Sequence, residues 1–343
     1  MKLKPLSILA ALMLPLTAQA TPAEKYFGYF GGDYDSASAT NPGGPGFPEM
    51  QDHINLYSIL IWSADGSLQG KAGSESYVLG ELAKARAAHV HAIVPAFPFV
   101  LQTTFNANHQ QVGCWRIDPD ASRAWTSLAQ KMVDQGYLVP GDPARSTVVA
   151  TYLVDEPNSD ANCLSDVGGQ ANPAWVNAVN AIRQVPATAN LPIASIMTDD
   201  FETNMPRGIQ LLDWVGFDHY GYSDKQWSNK MNTLKSVAPG KKYIVVPGAM
   251  EGCNLVTDED PGRFITAIEN DPSVTWLAPF AWFSGAGGVA TCRGVRDIPN
   301  RRTTYTAEGH KIRDLQCAAS LADKWFCGKA ANVNAAISYL LDD

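Results

Sequence analysis

Asp155 and Glu156 stand side by side at the end of an apolar, β-prone run that begins at Tyr152, and Pro157 follows them. Two adjacent carboxylates repel each other, and burial disfavours their charged forms. A carboxyl whose pKa is raised by such neighbours can act as a general acid. Side chains alternate along a strand, so one of the pair points inward, and Pro157 ends the ladder. The stretch predicts a catalytic pair; a strand-end carboxylate that caps the next loop is the structural alternative.

Acids and aromatic residues also follow other apolar runs, whose starts carry mostly Lys, His, Pro and Thr. Flat aromatic faces suit sugar rings. Polar residues are common in loops in any case, which is the alternative explanation of this pattern. The residues predicted to bind substrate are Asp33, Trp62, Asp199, His219, Tyr220 and Trp282.

Apolar, strand-like runs alternate with helical patterns along the chain. Strands are predicted at 25–32, 54–62, 91–98, 147–155, 192–198, 214–220, 242–247 and 275–282. Helices are predicted at 75–88, 122–136, 173–184, 206–212, 224–236, 261–270 and 306–322, and the Gly- and Pro-rich segment 35–52 predicts a loop. This alternation implies parallel strands joined by crossovers, and eight such units predict an α/β fold, a single-domain (β/α)8 TIM barrel. A doubly wound sheet is the alternative, but it would more readily carry GxGxxG, which is absent.

The barrel order brings out a resemblance. Asp-Glu-Pro at 155–157 resembles the Asn-Glu-Pro that ends the fourth strand in the large clan of retaining (β/α)8 glycoside hydrolases. The stretch GFDHYGY at 216–222 is similar to the clan's His-containing sixth strand end, whose Tyr supports the nucleophile. Trp282 matches the aromatic residue that the clan places at the eighth strand end to stack on sugar. The resemblance implies that Glu156 is the acid/base of a retaining hydrolase acting on a poly- or oligosaccharide.

The sequence departs from the clan at two positions. Asp155 replaces the clan's Asn, which contacts the sugar 2-substituent. The seventh strand should end in a nucleophilic Glu, but the acid nearest to it, Glu251, lies several residues beyond Pro247. We expect Glu251 to be the nucleophile, with Asp218 and Asp199 as substitutes.

The adjacent acids also resemble the Asp-Glu pair of substrate-assisted hexosaminidases. There the Glu protonates the leaving oxygen, and the Asp orients the substrate's own acetamido group as nucleophile. Such an enzyme needs no second enzymic nucleophile, so Asp155 and Glu156 would suffice. A carbohydrate-binding barrel without catalysis is the third possibility.

Metal and cofactor motifs are weak in this sequence. His89 and His91 have a metal-ligand spacing but precede the third strand, at the end of the barrel opposite the site. A divalent-metal hydrolase using Asp33, Asp199 and Asp218 has poorly placed histidines, and no GxSxG elbow occurs. We therefore expect no metal and no cofactor.

The first twenty residues have the pattern of a secretory signal. Lys2 and Lys4 precede an apolar run that is too short to span a bilayer, and Ala18-Gln19-Ala20 is a small-residue cleavage pattern. We expect a signal peptide at 1–20, a catalytic domain at 21–343, and a secreted or periplasmic protein. After cleavage the net charge becomes −10, from 24 basic and 34 acidic residues, which argues against nucleic acid as a partner. We expect a soluble monomer without membrane contact and with a carbohydrate substrate.

Six cysteines follow the predicted cleavage site, and an even number in an exported protein indicates disulfides. Fifteen pairings are possible. Cys114 and Cys163 lie beyond the third and fourth predicted strand ends, and Cys253 and Cys292 lie beyond the seventh and eighth. Pairing these neighbours would staple the loops around the site. The C-terminal pair would then be Cys317 with Cys327.

Overall fold

The structure is a computed structural model that describes residues 24–31, 46–61, 70–106, 111–253, 258–285, 291–318 and 327. Eight parallel strands form a nearly closed barrel. They are β1 (Tyr26–Phe27), β2 (Leu56–Ser58), β3 (His91–Pro95), β4 (Val148–Tyr152), β5 (Ile193–Thr198), β6 (Trp214–Asp218), β7 (Lys242–Val245) and β8 (Val274–Leu277). They pair in the order β1-β8-β7-β6-β5-β4-β3-β2. The predicted TIM barrel is therefore confirmed.

The seam between β1 and β2 has no regular ladder and is closed by Asn55, whose backbone N–H donates to the Phe27 carbonyl at 3.1 Å and whose side chain adds two hydrogen bonds. Asn55, just before β2, accepts a hydrogen bond from the Phe27 backbone N–H at 2.7 Å and donates to the Lys25 carbonyl at 3.0 Å. The strands come so close that a Cβ at Gly28 would lie 1.8 Å from the Leu56 carbonyl oxygen. Only glycine fits there, so the sequence itself permits this closure.

Helices surround the barrel. They are α1 (Gly46–Met50), α2 (Gly70–Ala87), α3 (Phe97–Val100), α4 (Ala121–Asp134), α5 (Pro173–Arg183), α6 (Phe201–Asn204), α7 (Asp224–Val237), α8 (Gly262–Asn270) and α9 (Pro299–Ala318). Local sequence sets several starts. Asn172 caps α5 ahead of Pro173, and Ser223 forms a capping box with Gln226 at α7.

The apolar core has two layers. Inside the barrel, large side chains such as Trp214 and Trp276 pack with small ones such as Ala150 and Ala194. A larger layer lies between the outer face of the strands and the helices. The strands are therefore buried on both faces, which explains why their sequences are nearly continuous apolar runs.

The structure alters some predicted boundaries. The barrel strands are shorter than the predicted apolar runs. Beyond the ends of the strands, neighbouring segments are still joined by single backbone hydrogen bonds, such as the one from the Phe30 N–H to the Pro279 carbonyl. The helix predicted at 206–212 is a 3₁₀ turn, Gly208–Leu211, preceded by the short α6. Phe97 begins α3 rather than ending β3, because Ala96 already has helical backbone angles, with φ −95° and ψ −31°. The segment predicted as a loop at 35–52 contains α1.

All three expected disulfides are present: Cys114–Cys163, Cys253–Cys292 and Cys317–Cys327. Outside the barrel, Leu101–Gln102 and Arg116–Ile117 form a small antiparallel pair on either side of Cys114 in the sequence. None of the described helices is long and apolar enough to cross a membrane. The predicted signal peptide at 1–20 lies outside the described residues.

Candidate active site

Three carboxyl groups meet at the C-terminal mouth of the barrel. Asp155 and Glu156 follow β4, and Asp218 is the last residue of β6. Asp218 lies close enough to Glu156 that each carboxyl affects the pKa of the other. Barrel enzymes place their catalytic groups at this end of the strands. The fold thus brings together residues that are 62 positions apart in the chain.

Asp218 lacks one hydrogen bond inside this cluster. Its Oδ1 atom is buried and has no hydrogen-bond partner among the described residues. A buried carboxylate oxygen without a donor disfavours the charged form. This environment favours a protonated Asp218 carboxyl, in the same direction as its raised pKa.

Burial is the main cause of the shifted pKa values in the cluster. It raises the pKa of Asp155 to about 7, with a further contribution from the negative charge of Glu156. Burial also raises the pKa of Asp218 well above its ordinary value, and Asp155 and Glu156 raise it further. The pKa of Glu156 is raised by burial, although its hydrogen bond with Asp218 opposes the shift. The cluster therefore releases its protons at a higher pH than free carboxyl groups do, which suits general acid catalysis.

Two tyrosines hold the outer members of the cluster. The Tyr152 hydroxyl donates to Asp155 at 2.7 Å and accepts from the Ile196 N–H at 3.2 Å. The Tyr220 hydroxyl donates to Asp218 at 3.4 Å. Burial and the adjacent carboxyls raise the pKa of both tyrosines well above the ordinary value, so both stay donors.

The backbone at Glu156 is in the left-handed region, with a φ of 42°. Such a conformation costs on the order of 1–3 kcal/mol in a residue other than glycine and persists where the surroundings over-determine it. Here the Glu156 N–H donates to the Ile196 carbonyl at 2.9 Å. The Asn162 side chain donates to the carbonyls of both Asp155 and Glu156, at 2.8 and 2.9 Å. These contacts hold the backbone from which the Glu156 side chain extends.

A polar triad lies beside the cluster at the ends of β5 and β6. His219 Nδ1 lies 2.9 Å from Asp199 Oδ2, and the Tyr222 hydroxyl donates to the same carboxylate at 2.5 Å. The His219 and Tyr222 rings stack with centroids 3.9 Å apart. The His219 side chain is 43 % exposed, so the stacked His219 and Tyr222 rings form part of the solvent-accessible surface at the barrel mouth.

Glu251 is not brought into the carboxyl cluster. Its side chain is 46 % exposed and forms an ion pair with Arg293. Its backbone pairs with that of Arg293 beside the Cys253–Cys292 disulfide. A nucleophilic role for Glu251 therefore requires it to leave this ion pair.

Trp282 lies beyond the end of β8 and is 1 % exposed. Its ring packs on Tyr29 with centroids 4.9 Å apart, and its Nε1–H donates to Glu49 at 2.8 Å. This environment leaves no face for a sugar. Phe280, by contrast, is partly exposed and stacks with Tyr220 at 6.2 Å.

Asp33 and Trp62, both predicted to bind substrate, lie outside the described residues. Sequence reasoning missed Tyr152, Asn162 and Phe280. Tyr152 carried a usable signal, since alternation along β4 points it into the barrel near the mouth. Asn162 carried none, because nothing in its residue type or spacing indicates that its side chain bonds to the Asp155 and Glu156 carbonyls. In the described part of the chain, no cluster of three or more His, Cys, Asp or Glu side chains is arranged to bind a metal ion.

No protein-family model and no curated protein matches this chain. Solved structures to which this chain is similar include several glycoside hydrolases. A family 5 enzyme from Prevotella bryantii has 12 % identity and a TM-score of 0.49, with 85 % of this chain and 96 % of that one aligned. GH10 from Paenibacillus barcinonensis has 12 % identity and a TM-score of 0.45, covering 76 % and 84 %. A Bacteroides uniformis β-glucuronidase has 12 % identity and a TM-score of 0.43, covering 69 % of this chain but only 28 % of that one. The likeness concerns the fold, so the activity must be argued from the site.

Proposed function

We propose that this chain is a glycoside hydrolase in which Glu156 protonates the glycosidic oxygen. The observation that carries the proposal is the contact of Asp155, Glu156 and Asp218 at the barrel mouth, with raised pKa values for all three. Glycosidic bonds are cleaved by a carboxylic acid that protonates the leaving oxygen, together with a second group that stabilises the positive charge forming on the sugar. The cluster supplies both kinds of group.

The Glu156–Asp218 pair is the proposed source of the proton. Burial raises the pKa of Asp218 well above its ordinary value, so in this scheme the pair keeps a proton that a free carboxyl would release. When a glycosidic oxygen reaches Glu156, that proton passes to the oxygen as the bond to the anomeric carbon breaks. The pair is then left with two negative charges, and the attacking water returns a proton to it. Asp218 in this scheme maintains the acid rather than attacking the sugar.

The decisive experiment is a screen of polysaccharides and aryl glycosides against the native protein and Glu156→Gln. The substitution keeps the shape but removes the proton, so kcat should fall by about 10²–10⁴-fold on natural glycans. The loss should be smaller for aryl glycosides with good leaving groups, because these need little protonation. Glu269→Gln is the matched control, since Glu269 lies at the end of α8 and pairs with Lys311. Full activity of Glu156→Gln on a natural glycan would refute the proposal.

The retaining version of this mechanism uses an enzymic nucleophile, for which Glu251 remains the prediction. That version requires Glu251 to leave its ion pair with Arg293 and to contact the substrate instead. Glu251→Gln should then abolish turnover and should not merely weaken binding. Unchanged kcat in this variant would remove Glu251 from the mechanism.

A second candidate is substrate-assisted cleavage of an N-acetylated amino sugar. It is favoured by two observations: Asp155 is held by Tyr152 within the cluster, while Glu251 is engaged with Arg293. Asp155 would orient the acetamido group, whose oxygen attacks the anomeric carbon. Asp155→Asn should then reduce kcat about as far as Glu156→Gln, and only N-acetylated substrates should be cleaved. If Asp155 merely occupies the clan's Asn position, the same variant should stay largely active.

A carbohydrate-binding barrel without catalysis is the remaining alternative. It predicts that sugars bind without turnover and that Glu156→Gln leaves the affinity unchanged. Phe280→Ala should weaken sugar binding in either case, because the partly exposed ring lies beside the Tyr220 that holds Asp218. Ligand titration with turnover measured in parallel separates the two outcomes.

A further inference from the structure

Asn162 connects the candidate acid to a loop that the sequence places far from it. Its Nδ2 donates to the carbonyls of Asp155 and Glu156. Its Oδ1 accepts from Trp115 Nε1 at 2.9 Å and from Gln111 Nε2 at 3.2 Å. The amide therefore uses both of its ends, with one on the acid-bearing turn and the other on the loop that follows β3.

The loop side of this contact is firmly held. Trp115 is buried and packs edge-on against Phe97 with centroids 5.8 Å apart. The backbone N–H of Trp115 also donates to the backbone carbonyl of Asn162 at 3.2 Å. Trp115 follows Cys114 and Asn162 precedes Cys163, and these cysteines form a disulfide. A covalent bond therefore lies directly beside the hydrogen bonds that reach the Glu156 turn.

We propose that Asn162 is a positioning residue that holds the Asp155–Glu156 turn in its left-handed conformation, and that the Cys114–Cys163 disulfide keeps Asn162 in place. The inference rests on the proposed function, in which Glu156 is the acid. Two carbonyls with a shared donor cannot rotate independently, so the Glu156 side chain leaves the turn in one direction, toward Asp218. Without the donor, the turn can relax toward ordinary backbone angles and move the carboxyl away from its partner.

The test uses Asn162→Ala, Asn162→Asp and Trp115→Phe. Asp keeps the size but removes the donor, and Phe keeps the ring but removes the N–H. Each should lower kcat by about 10- to 100-fold, the scale of a misplacement of about 1 Å, with little change in KM. Each should also move the pH profile of kcat, because the position of Glu156 relative to Asp218 affects the pKa values of both carboxyls.

Asn172→Ala is the matched control. Asn172 lies in the same loop, and its side chain donates to the Cys163 and Ser165 carbonyls and caps α5. Its loss should lower the melting temperature as much as the loss of Asn162 but should leave kcat and its pH profile unchanged. A loss of kcat in Asn172→Ala equal to that in Asn162→Ala would show a purely structural effect and overturn the proposal.

The disulfide is tested in the same way. The Cys114→Ser/Cys163→Ser variant should reproduce the kcat loss and the shifted pH profile, whereas Cys317→Ser/Cys327→Ser should not. Equal activity in both double variants would remove the disulfide from the proposal.

A readout without substrate separates this inference from the proposed function. The infrared band of protonated carboxyl groups, followed against pH, reports the protonation of the cluster directly, and Glu156→Gln assigns it. Asn162→Ala should shift the titration of this band. If no glycoside is cleaved but the band shifts, the positioning role stands and the proposed function fails. If Glu156→Gln is inactive but the band is unchanged in Asn162→Ala, the proposed function stands and the positioning role of Asn162 fails.

Discussion

Glu156 is held in a backbone conformation that non-glycine residues rarely adopt, and its carboxyl lies against a second acid. Both features oppose stability. The neighbouring Asp155 and Asp218 add negative charges that must be desolvated or protonated. Groups whose pKa values are displaced by burial and by like charges concentrate at functional sites. We infer that these residues are maintained for chemistry at the expense of stability.

The burial of the Asp155 carboxyl leads to a prediction about how stability depends on pH. Its pKa is about 7 in the folded chain and about 3.9 in an unfolded one. The folded state therefore binds the extra proton between these values, and its stability falls as the pH rises from about 4 to about 7. Asp155→Asn keeps an acceptor for Tyr152 without the charge. Its melting temperature should exceed that of the native protein at pH 8, and the difference should vanish near pH 4.

Asp271 is the contrasting control. Burial alone would raise its pKa, but hydrogen bonds from Lys235 and Ser273 outweigh that effect and lower the pKa to about 2. This carboxylate stabilises the fold above about pH 4, and the contribution disappears as the pH falls toward 2. Asp271→Asn should therefore lower the melting temperature at neutral pH. A gain in Asp155→Asn that does not depend on pH would contradict the assignment of Asp155.

At the scale of elements, the barrel depends on how its first and second strands meet. Asn55 supplies two hydrogen bonds across a seam where Gly28 and Leu56 are in close contact. The β1–β2 seam lies between the strand ends that precede the candidate substrate-binding loops. β1 and β2 are the two ends of the strand order, so these contacts close the barrel.

Removal of this bridge should be costly. Asn55→Ala leaves the Phe27 N–H and the Lys25 carbonyl without their partner in a buried seam, where each unsatisfied group costs about 1–3 kcal/mol. The free energy of unfolding, measured by chemical denaturation, should fall by an amount in this range or above it. Asn229→Ala, on the exposed face of α7, should change it by less than about 0.5 kcal/mol. Equal effects of the two variants would show that the seam is closed by other contacts.

At the scale of the whole molecule, the loops at the mouth are covalently tied. Cys114–Cys163 joins the loops after β3 and β4, and Cys253–Cys292 joins those after β7 and β8. Such bonds persist in oxidising compartments. They agree with the export that the first twenty residues predict, which itself remains a prediction.

Export and oxidation can be tested together. Protein recovered after export should have an intact mass that begins at Thr21. Thiol labelling under denaturing conditions should detect no free cysteine, and six should appear only after reduction. Retention of the first twenty residues, or labelling without reductant, would contradict the prediction of an exported, fully oxidised chain.

Local patterns were sufficient for much of this protein. The apolar runs alternate with helical segments, and such alternation has few packing solutions, so the barrel could be predicted. The Asp-Glu-Pro stretch marks the end of β4 because proline cannot continue a ladder. The pairing of loop cysteines followed from the barrel order, since neighbouring strands have neighbouring loops.

Only the tertiary structure decided which groups meet. Nothing near Asp155 and Glu156 in the sequence indicates that Asp218 lies against them, because that contact depends on strand order and register. Trp282 and Glu251 both follow barrel strands, yet packing buries the first and leaves the second paired with Arg293 at the surface. A strand pattern in the sequence predicts which end of which strand a residue follows. Its final neighbours, and hence its pKa and its exposure, are set by the packing of segments that are distant in the chain.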